Sequence, residues 1–282
     1  MDRVLSFLPV PDRPGKPRDT GITIARDDGL GFETAKALVE SVGPFIDYMK
    51  LRHFFVLTAS RDSNDLTSRK VRLYRQHAID VLPGGIVFEI AMIKGLVDRY
   101  FDAIAAFGCS AVECSENMIT IAPPTRREVL RQAGRTGLKV LWEVGDKYPG
   151  AAPDLEELVA EIRQLLEWGA TKVVVERSYT DLLLGPDGHL PTARYIVDLV
   201  EAVGLRHLTF EAETPAHQRW FLHTFGPDVN IGPNIPPEMV MKLEPTRRTL
   251  SREGGYTWVT ALAELEGGER RGWTTVAMGG AQ

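Results

Sequence analysis

Four short apolar runs in this chain each close on a glutamate: Ala111-Val112-Glu113, Val140-Leu141-Trp142-Glu143, Val173-Val174-Val175-Glu176 and Leu208-Thr209-Phe210-Glu211. Runs this short, rich in β-branched and aromatic residues, suit strands buried on both faces. A longer amphipathic segment with capping signals follows each one. Carboxylates repeated at the carboxyl ends of buried parallel strands converge on one mouth if the sheet closes into a barrel. Such a cluster is costly unless something cationic sits in it.

The alternation extends beyond these four units. Strand-like runs fall at 21–27, 45–51, 79–84, 110–115, 139–145, 172–178, 207–213 and 229–231. Helix-like segments fall at 31–41, 64–76, 96–107, 125–136, 154–168, 192–203, 215–225 and 236–252. Asp154 with Glu156-Glu157, and Pro124-Thr125, read as helix starts. Gly108, Gly137, Gly169, Gly204 and Gly226 fall where helices must stop. Eight such units predict an α/β protein, a single (β/α)8 TIM barrel over residues 16–253. An N-terminal extension (1–15) precedes it, and a Gly-rich C-terminal tail (254–282) reads as loop or disordered end. The rival, a doubly wound open sheet, usually carries a Gly-rich phosphate loop after its first strand. Arg26-Asp27-Asp28-Gly29-Leu30 is not one.

Composition narrows the function. In 282 residues the net charge is -5, which gives no footprint for nucleic acid. Two cysteines, Cys109 and Cys114, are too few for a disulfide framework and favour a reducing, cytoplasmic setting. The apolar stretch Val4 to Val10 is too short for a signal or membrane span, so no membrane partner is expected. Barrels of this size often self-associate, and a homo-oligomer is compatible with the chain.

Residues at the carboxyl ends of barrel strands form the site. Asp27, Glu89, Glu113, Glu176 and Glu211 are the candidate metal ligands. Oxygen ligands on rigid strand ends suit Mg²⁺, which binds through few carboxylates plus substrate oxygens. Lys147, Lys50 and Glu143 are the catalytic candidates; burial can lower a lysine pKa toward neutrality, which would suit Lys147 to proton transfer. Arg52, His53, Ser115, Arg177 and Asn230 are candidates for binding a small anionic or carboxylate substrate. Strand alternation lets either Lys50 or Asp47 face the mouth, not both. The blander alternative for each glutamate is a structural ion pair. For Phe54-Phe55 it is packing on the next helix, and for Arg247-Arg248 a favourable place at a helix C-terminus.

The ordered motifs resemble the phosphosulfolactate synthase family from about Lys16 to Arg252. The resemblance rests on Lys16-Pro17-Arg18 with Gly21, Asp27 with Gly29-Leu30, and Ile46-Asp47-Tyr48-Met49-Lys50. It continues through Pro83-Gly84-Gly85 to Phe88-Glu89, Val112-Glu113 with Ser115, and Glu143-Val144-Gly145 with Lys147. Phe210-Glu211-Ala212, Gln218, Val229-Asn230 and Leu243-Glu244 with Arg247 complete it. It implies a (β/α)8 lyase that adds sulfite to phosphoenolpyruvate with Mg²⁺, the metal stabilising an enolate and the retained Lys147 acting as general acid.

The chain departs from that pattern at the loops. Asp28 and Asp146 stand where the family carries lysines, and Arg52-His53-Phe54-Phe55-Val56 replaces a Gly-rich segment. Glu116-Asn117 stands for Asp-Gly, Glu176-Arg177-Ser178-Tyr179 for another Gly-bearing loop, and Pro233 is extra. Two Lys-to-Asp exchanges move the local charge by about four units, which disfavours two strongly anionic substrates. The expectation is a relative that keeps its metal and lysine machinery with a changed substrate. An isomerase, dehydratase or addition enzyme of a specialised pathway is the second reading. A non-catalytic homologue of the stress-protective plant type is the third.

Overall fold

The computed structural model describes residues 4–9, 13–186, 190–252 and 254–266. Its centre is one sheet of eight parallel strands: β1 (Thr23–Asp27), β2 (Tyr48–Leu51), β3 (Asp80–Pro83), β4 (Ala111–Cys114), β5 (Lys139–Val144), β6 (Lys172–Val175), β7 (Leu208–Phe210) and β8 (Asn230–Ile235). Backbone ladders join them in the order β3-β2-β1-β8-β7-β6-β5-β4. The remaining seam, between β3 and β4, is bridged by Ser110. Its N–H donates to the Val81 carbonyl at 3.0 Å. Its hydroxyl accepts from the Val81 N–H at 3.1 Å and donates to Asp80 at 2.7 Å. The sheet is thus the nearly closed barrel that the eightfold alternation predicts.

All eight expected helical segments contain helices: α1 (Phe32–Val42), α3 (Leu66–Gln76), α5 (Val97–Phe107), α6 (Pro123–Arg135), α7 (Leu155–Glu167), α9 (Arg194–Val203), α10 (Pro215–Phe225) and α11 (Val240–Arg247). Local chemistry fixes their ends. Asp154 accepts from the Glu157 N–H at 3.0 Å and starts α7, while Gly108, at φ 104°, ends α5. Four further helices went unread in the sequence: α2 (His53–Thr58), α4 (Ile86–Ile93), α8 (Arg177–Leu184) and α12 (Thr257–Glu266). The first and third have six and eight residues, and α4 is almost continuously apolar, so none shows a helical period. α12 corrects the expectation of a loop directly after residue 254. The Gly267-Gly268 and Gly279-Gly280 steps lie outside the described residues.

Alternation divides the core. Ile22, Ile24, Tyr48, Leu82, Ala111, Leu141 and Val174 form a separate cluster that fills the barrel. Residues of opposite parity, such as Ala25, Met49, Val112, Trp142 and Val175, join the larger core beneath the helices. At the amino end, Arg247 is fully buried rather than a surface cation. Its guanidinium donates to the carbonyls of Pro227 and Val229, both at 2.6 Å. Arg13, assigned to the N-terminal extension, pairs with Glu244 beside it. Among the described residues no helix is long and apolar enough to cross a membrane.

Candidate active site

Two residues beyond the inner cluster, the same parity brings Arg26, Lys50, Glu113, Glu143 and Glu176 to the carboxyl-end mouth. Glu211, two beyond Thr209, and Asn234 from β8 complete the ring. The four glutamates come from consecutive strands β4 to β7, so they line one half of the mouth. Each is between 1% and 6% exposed.

Lys50 faces the mouth and Asp47 does not. Lys50 Nζ sits 2.9 Å from Glu113 Oε1, which also accepts the Gly85 N–H at 2.9 Å. The Pro83-Gly84-Gly85 turn makes this approach possible. A Cβ on Gly85 would overlap the Ser115 hydroxyl and lie 3.1 Å from Glu113 Oε1. Glu113 Oε2 is buried with no hydrogen-bond partner.

Asp47 instead works at the amino end, accepting from Thr23 N–H and Arg18, both at 2.9 Å.

Across the mouth, Glu176 caps α8 by accepting the Ser178 N–H at 2.6 Å, and its other oxygen binds Lys147 Nζ. Gly145, at φ 121°, packs against Glu176 and Tyr179, letting the β5–α7 loop turn so that Lys147 reaches Glu176. Glu211 accepts from the Asn234 amide and, at 3.3 Å, from the Arg177 N–H. No protein donor among the described residues reaches the Glu143 carboxylate.

The proton affinities follow from this crowding. Burial, then the charges of Glu113 and Glu211, push the Glu143 carboxyl well above its ordinary range. Glu211 is pushed up to about 7, by burial first; the Lys50 ammonium opposes this and the Glu176 and Glu113 carboxylates reinforce it. Burial pulls Lys50 down, but Glu113, Glu143 and Glu211 win and hold it above the usual lysine value. Lys147 is raised as well, its contact with Glu176 outweighing partial burial. That corrects the expectation of a lysine pKa lowered by burial: Lys147 is suited to hold and donate a proton, not to act as a free base.

Other expected site residues lie elsewhere. Asp27 has outward parity. One of its oxygens accepts from the N–H groups of Gly29 and Leu30, both at 2.8 Å; the other binds Tyr74 at 2.8 Å and Lys70 at 2.7 Å, both on α3. Glu89 is on α4 and accepts from the Ser115 hydroxyl at 2.5 Å and the N–H groups of Asn117 and Met118 at 3.0 and 2.7 Å. Glu89 and Ser115 therefore pin the loop after β4.

Asn230 begins β8 instead of ending it, and bridges Ile22 N–H and the Leu208 carbonyl at the amino end. The sequence pattern ends this strand at residue 231; the strand runs on through Gly232-Pro233 to Ile235, so the mouth residue is Asn234. Period-two counting from Asn230 would have found it.

Arg52 pairs with Asp28 at 3.1 Å, and Arg177 pairs with Asp181 at 3.1 Å and Glu213 at 3.0 Å. Arg26, also unanticipated, pairs with Asp28 at 2.9 Å. His53 opens α2. Phe55 packs on Gly29 and lies 5.4 Å from Lys70, as a ring folded onto the next helix would.

Among the described residues no three acidic, histidine or cysteine side chains converge closely enough to cage a metal. A cation held by few carboxylates and completed by substrate oxygens needs no such cage. The orphaned Glu113 oxygen and the raised Glu211 carboxyl fit that looser arrangement.

Fold and site together define a (β/α)8-barrel protein with an acid–base mouth built from strand-end glutamates and two lysines. The chain belongs to the (2R)-phospho-3-sulfolactate synthase (ComA) family, whose model matches residues 11–253, and it is an enzyme of that lyase/synthase kind. It is 32% identical over 245 residues to the phosphosulfolactate synthase of Methanothermobacter thermautotrophicus, covering 85% of this chain and 93% of the relative. It is also 23% identical over 275 residues to the protein HEAT-STRESS-ASSOCIATED 32 of Arabidopsis thaliana, covering 85% and 90%. Among solved structures, type I 3-dehydroquinate dehydratase from Clostridium difficile superposes with a TM-score of 0.51 at 12% identity. That match covers 86% of this chain and 98% of the other, a likeness of fold alone.

Proposed function

We propose that this enzyme is a Mg²⁺-assisted lyase or synthase that adds a nucleophile to a small enol or 2-oxo carboxylate, with Lys147 moving the proton. The observation that carries this reading is the pairing of Lys147 with Glu176 opposite a Glu113 that keeps one buried oxygen free. Glu176 keeps Lys147 protonated and aimed over the mouth, so its ammonium serves as general acid. Lys50, fixed by Glu113, offers its remaining N–H groups to a substrate carboxylate. Glu211 takes up or releases a proton near neutrality, and Glu143, raised well above the ordinary carboxyl range, holds its proton more tightly than a free carboxyl. Glu113 and Glu211 would hold the cation, which when bound supplies Lewis acidity to a substrate oxygen. Incubation with phosphoenolpyruvate, sulfite and Mg²⁺, followed by ³¹P NMR, tests the narrow version; absence of phosphosulfolactate at saturating substrate excludes it.

One observation favours a nucleophile other than sulfite. Arg26, Lys50, Arg52, Lys147 and Arg177, the cations at the strand ends and the loops above them, are all engaged by carboxylates. Asp28 alone occupies both Arg26 and Arg52. A second strong anion beside an enol phosphate would have to break one of these pairs.

A further inference from the structure

A cavity of about 250 Å³ opens beside the mouth, between the β5–α7 loop, the start of α7 and helix α6. Glu143 belongs to both: it ends β5 in the ring of glutamates and also lines this cavity. It is 6% exposed and has no hydrogen-bond donor among the described residues, so a carboxyl whose proton affinity is raised by burial and by the neighbouring glutamates lines the space with no donor on it. A cation entering the cavity would favour the ionised form of this carboxyl and give it the partner it lacks.

The other lining groups define that partner. Arg126 is the one cation in the wall, and it is spent. Its guanidinium holds Glu116 at 2.7 Å and Glu161 at 2.5 Å. Asp146, Asp154 and Glu157 also line the cavity, and none of the three has a salt-bridge partner among the described residues. The N-terminus of α7 would ordinarily attract an anion, but Asp154 already caps it through the Glu157 N–H. A sulfonate, sulfite or phosphate group entering here meets the carboxylates of Asp146 and Glu157 and the Glu143 carboxyl, with the one cation of the wall already held by Glu116 and Glu161. Tyr179, Val144 and Leu158 add an aromatic face and an apolar wall, which suit an organic cation on an alkyl stem.

We infer that this side cavity anchors a protonated amine or guanidine group of the enzyme's second substrate, with Glu143 as the buried contact and Glu157 and Asp146 at the rim. The inference rests on the proposed lyase reading for the words "second substrate" and deepens it: the reacting nucleophile is carried on a molecule whose other end is cationic.

Two probes that share a hydroxyethyl stem and carry opposite charge, ethanolamine and 2-hydroxyethanesulfonate, test it. Binding is read by ligand-observed saturation-transfer NMR on the full chain at low ionic strength. Ethanolamine is expected to bind, and 2-hydroxyethanesulfonate not to bind. Glu143→Gln should weaken ethanolamine at least tenfold. Glu157→Gln, a rim substitution on an exposed turn, should weaken it severalfold with the melting temperature unchanged. Equal binding of both probes, or ethanolamine binding indifferent to both substitutions, overturns the inference. Pyruvate deuterium exchange with Mg²⁺, run in parallel, separates the two ideas. Exchange without ethanolamine binding removes the cationic anchor and leaves the lyase reading, while binding without exchange does the reverse.

Discussion

Lys50 and Glu113 meet at 2.9 Å on the floor of the mouth, and the pair uses only one of the two glutamate oxygens. Glu113 is 2% exposed and the Lys50 side chain 13%, so each depends on the other for charge compensation. Lys50→Met is therefore expected to strand a buried carboxylate and cost about 3–5 kcal/mol of stability. Urea denaturation checks it, and Mg²⁺ should recover part of the loss by replacing the missing cation.

Lys147 behaves differently because its side chain is 45% exposed. Lys147→Ala should change stability by less than about 1 kcal/mol, since solvent screens the pair with Glu176. Turnover should nevertheless fall by about 10²–10⁴-fold, the usual share of a general acid. As the proton donor sits above the ordinary lysine value, activity should persist through neutral pH and be lost only as pH rises through that raised pKa. A pH–rate profile in wild type and Lys147→Arg reads this.

Glu211 ties stability to pH. Its folded pKa is about 7 against an ordinary 4.5, so between those values the native chain holds a proton that the unfolded chain has released. Metal-free protein should therefore lose stability as pH rises from 4.5 to 7, by up to about 3 kcal/mol from this group. Glu211→Gln should flatten the slope of denaturation midpoint against pH, measured in EDTA.

Asp27 and Lys70 form a buried pair at 2.7 Å that also binds Tyr74, away from the mouth parity. Lys70→Met should destabilise the fold by about 3–5 kcal/mol. It should leave Mg²⁺ affinity, measured by calorimetry on the folded fraction, within twofold of wild type. A large loss of affinity would return Asp27 to the metal site.

Gly85→Ala should disable the mouth without touching a charged group. Its new Cβ collides with Ser115 and presses on Glu113. The expected result is a large fall in turnover with a melting temperature only a few degrees lower.

The barrel was legible because eight strand–helix units leave a strong periodic trace, and the Lys50-or-Asp47 choice followed from strand alternation. Parity itself was not legible. In a strand buried on both faces Ile24 and Ala25 are equally apolar, so nothing marks Asp27 as outward until Lys70 and Tyr74, more than forty residues on, are placed against it. Glu89 was hidden because α4 has no helical period. Asn230 displaced Asn234 because Gly232-Pro233 reads as a strand stop, although this strand continues through it. Pairings such as Arg52 with Asp28 are long-range, and no local pattern encodes them.

The most direct test of the mouth as an acid–base centre does not need the natural nucleophile. Pyruvate in D₂O, followed by ¹H NMR of its methyl signal with the purified enzyme, reports proton exchange at the carbon beside the carbonyl. Because exchange runs the proton transfer in reverse, on the deprotonated fraction of Lys147, the predicted result is Mg²⁺-dependent exchange above the buffer rate that rises with pH and is abolished by Lys147→Ala and by Glu113→Gln. Exchange at the buffer rate in wild type with saturating pyruvate and Mg²⁺ would contradict it.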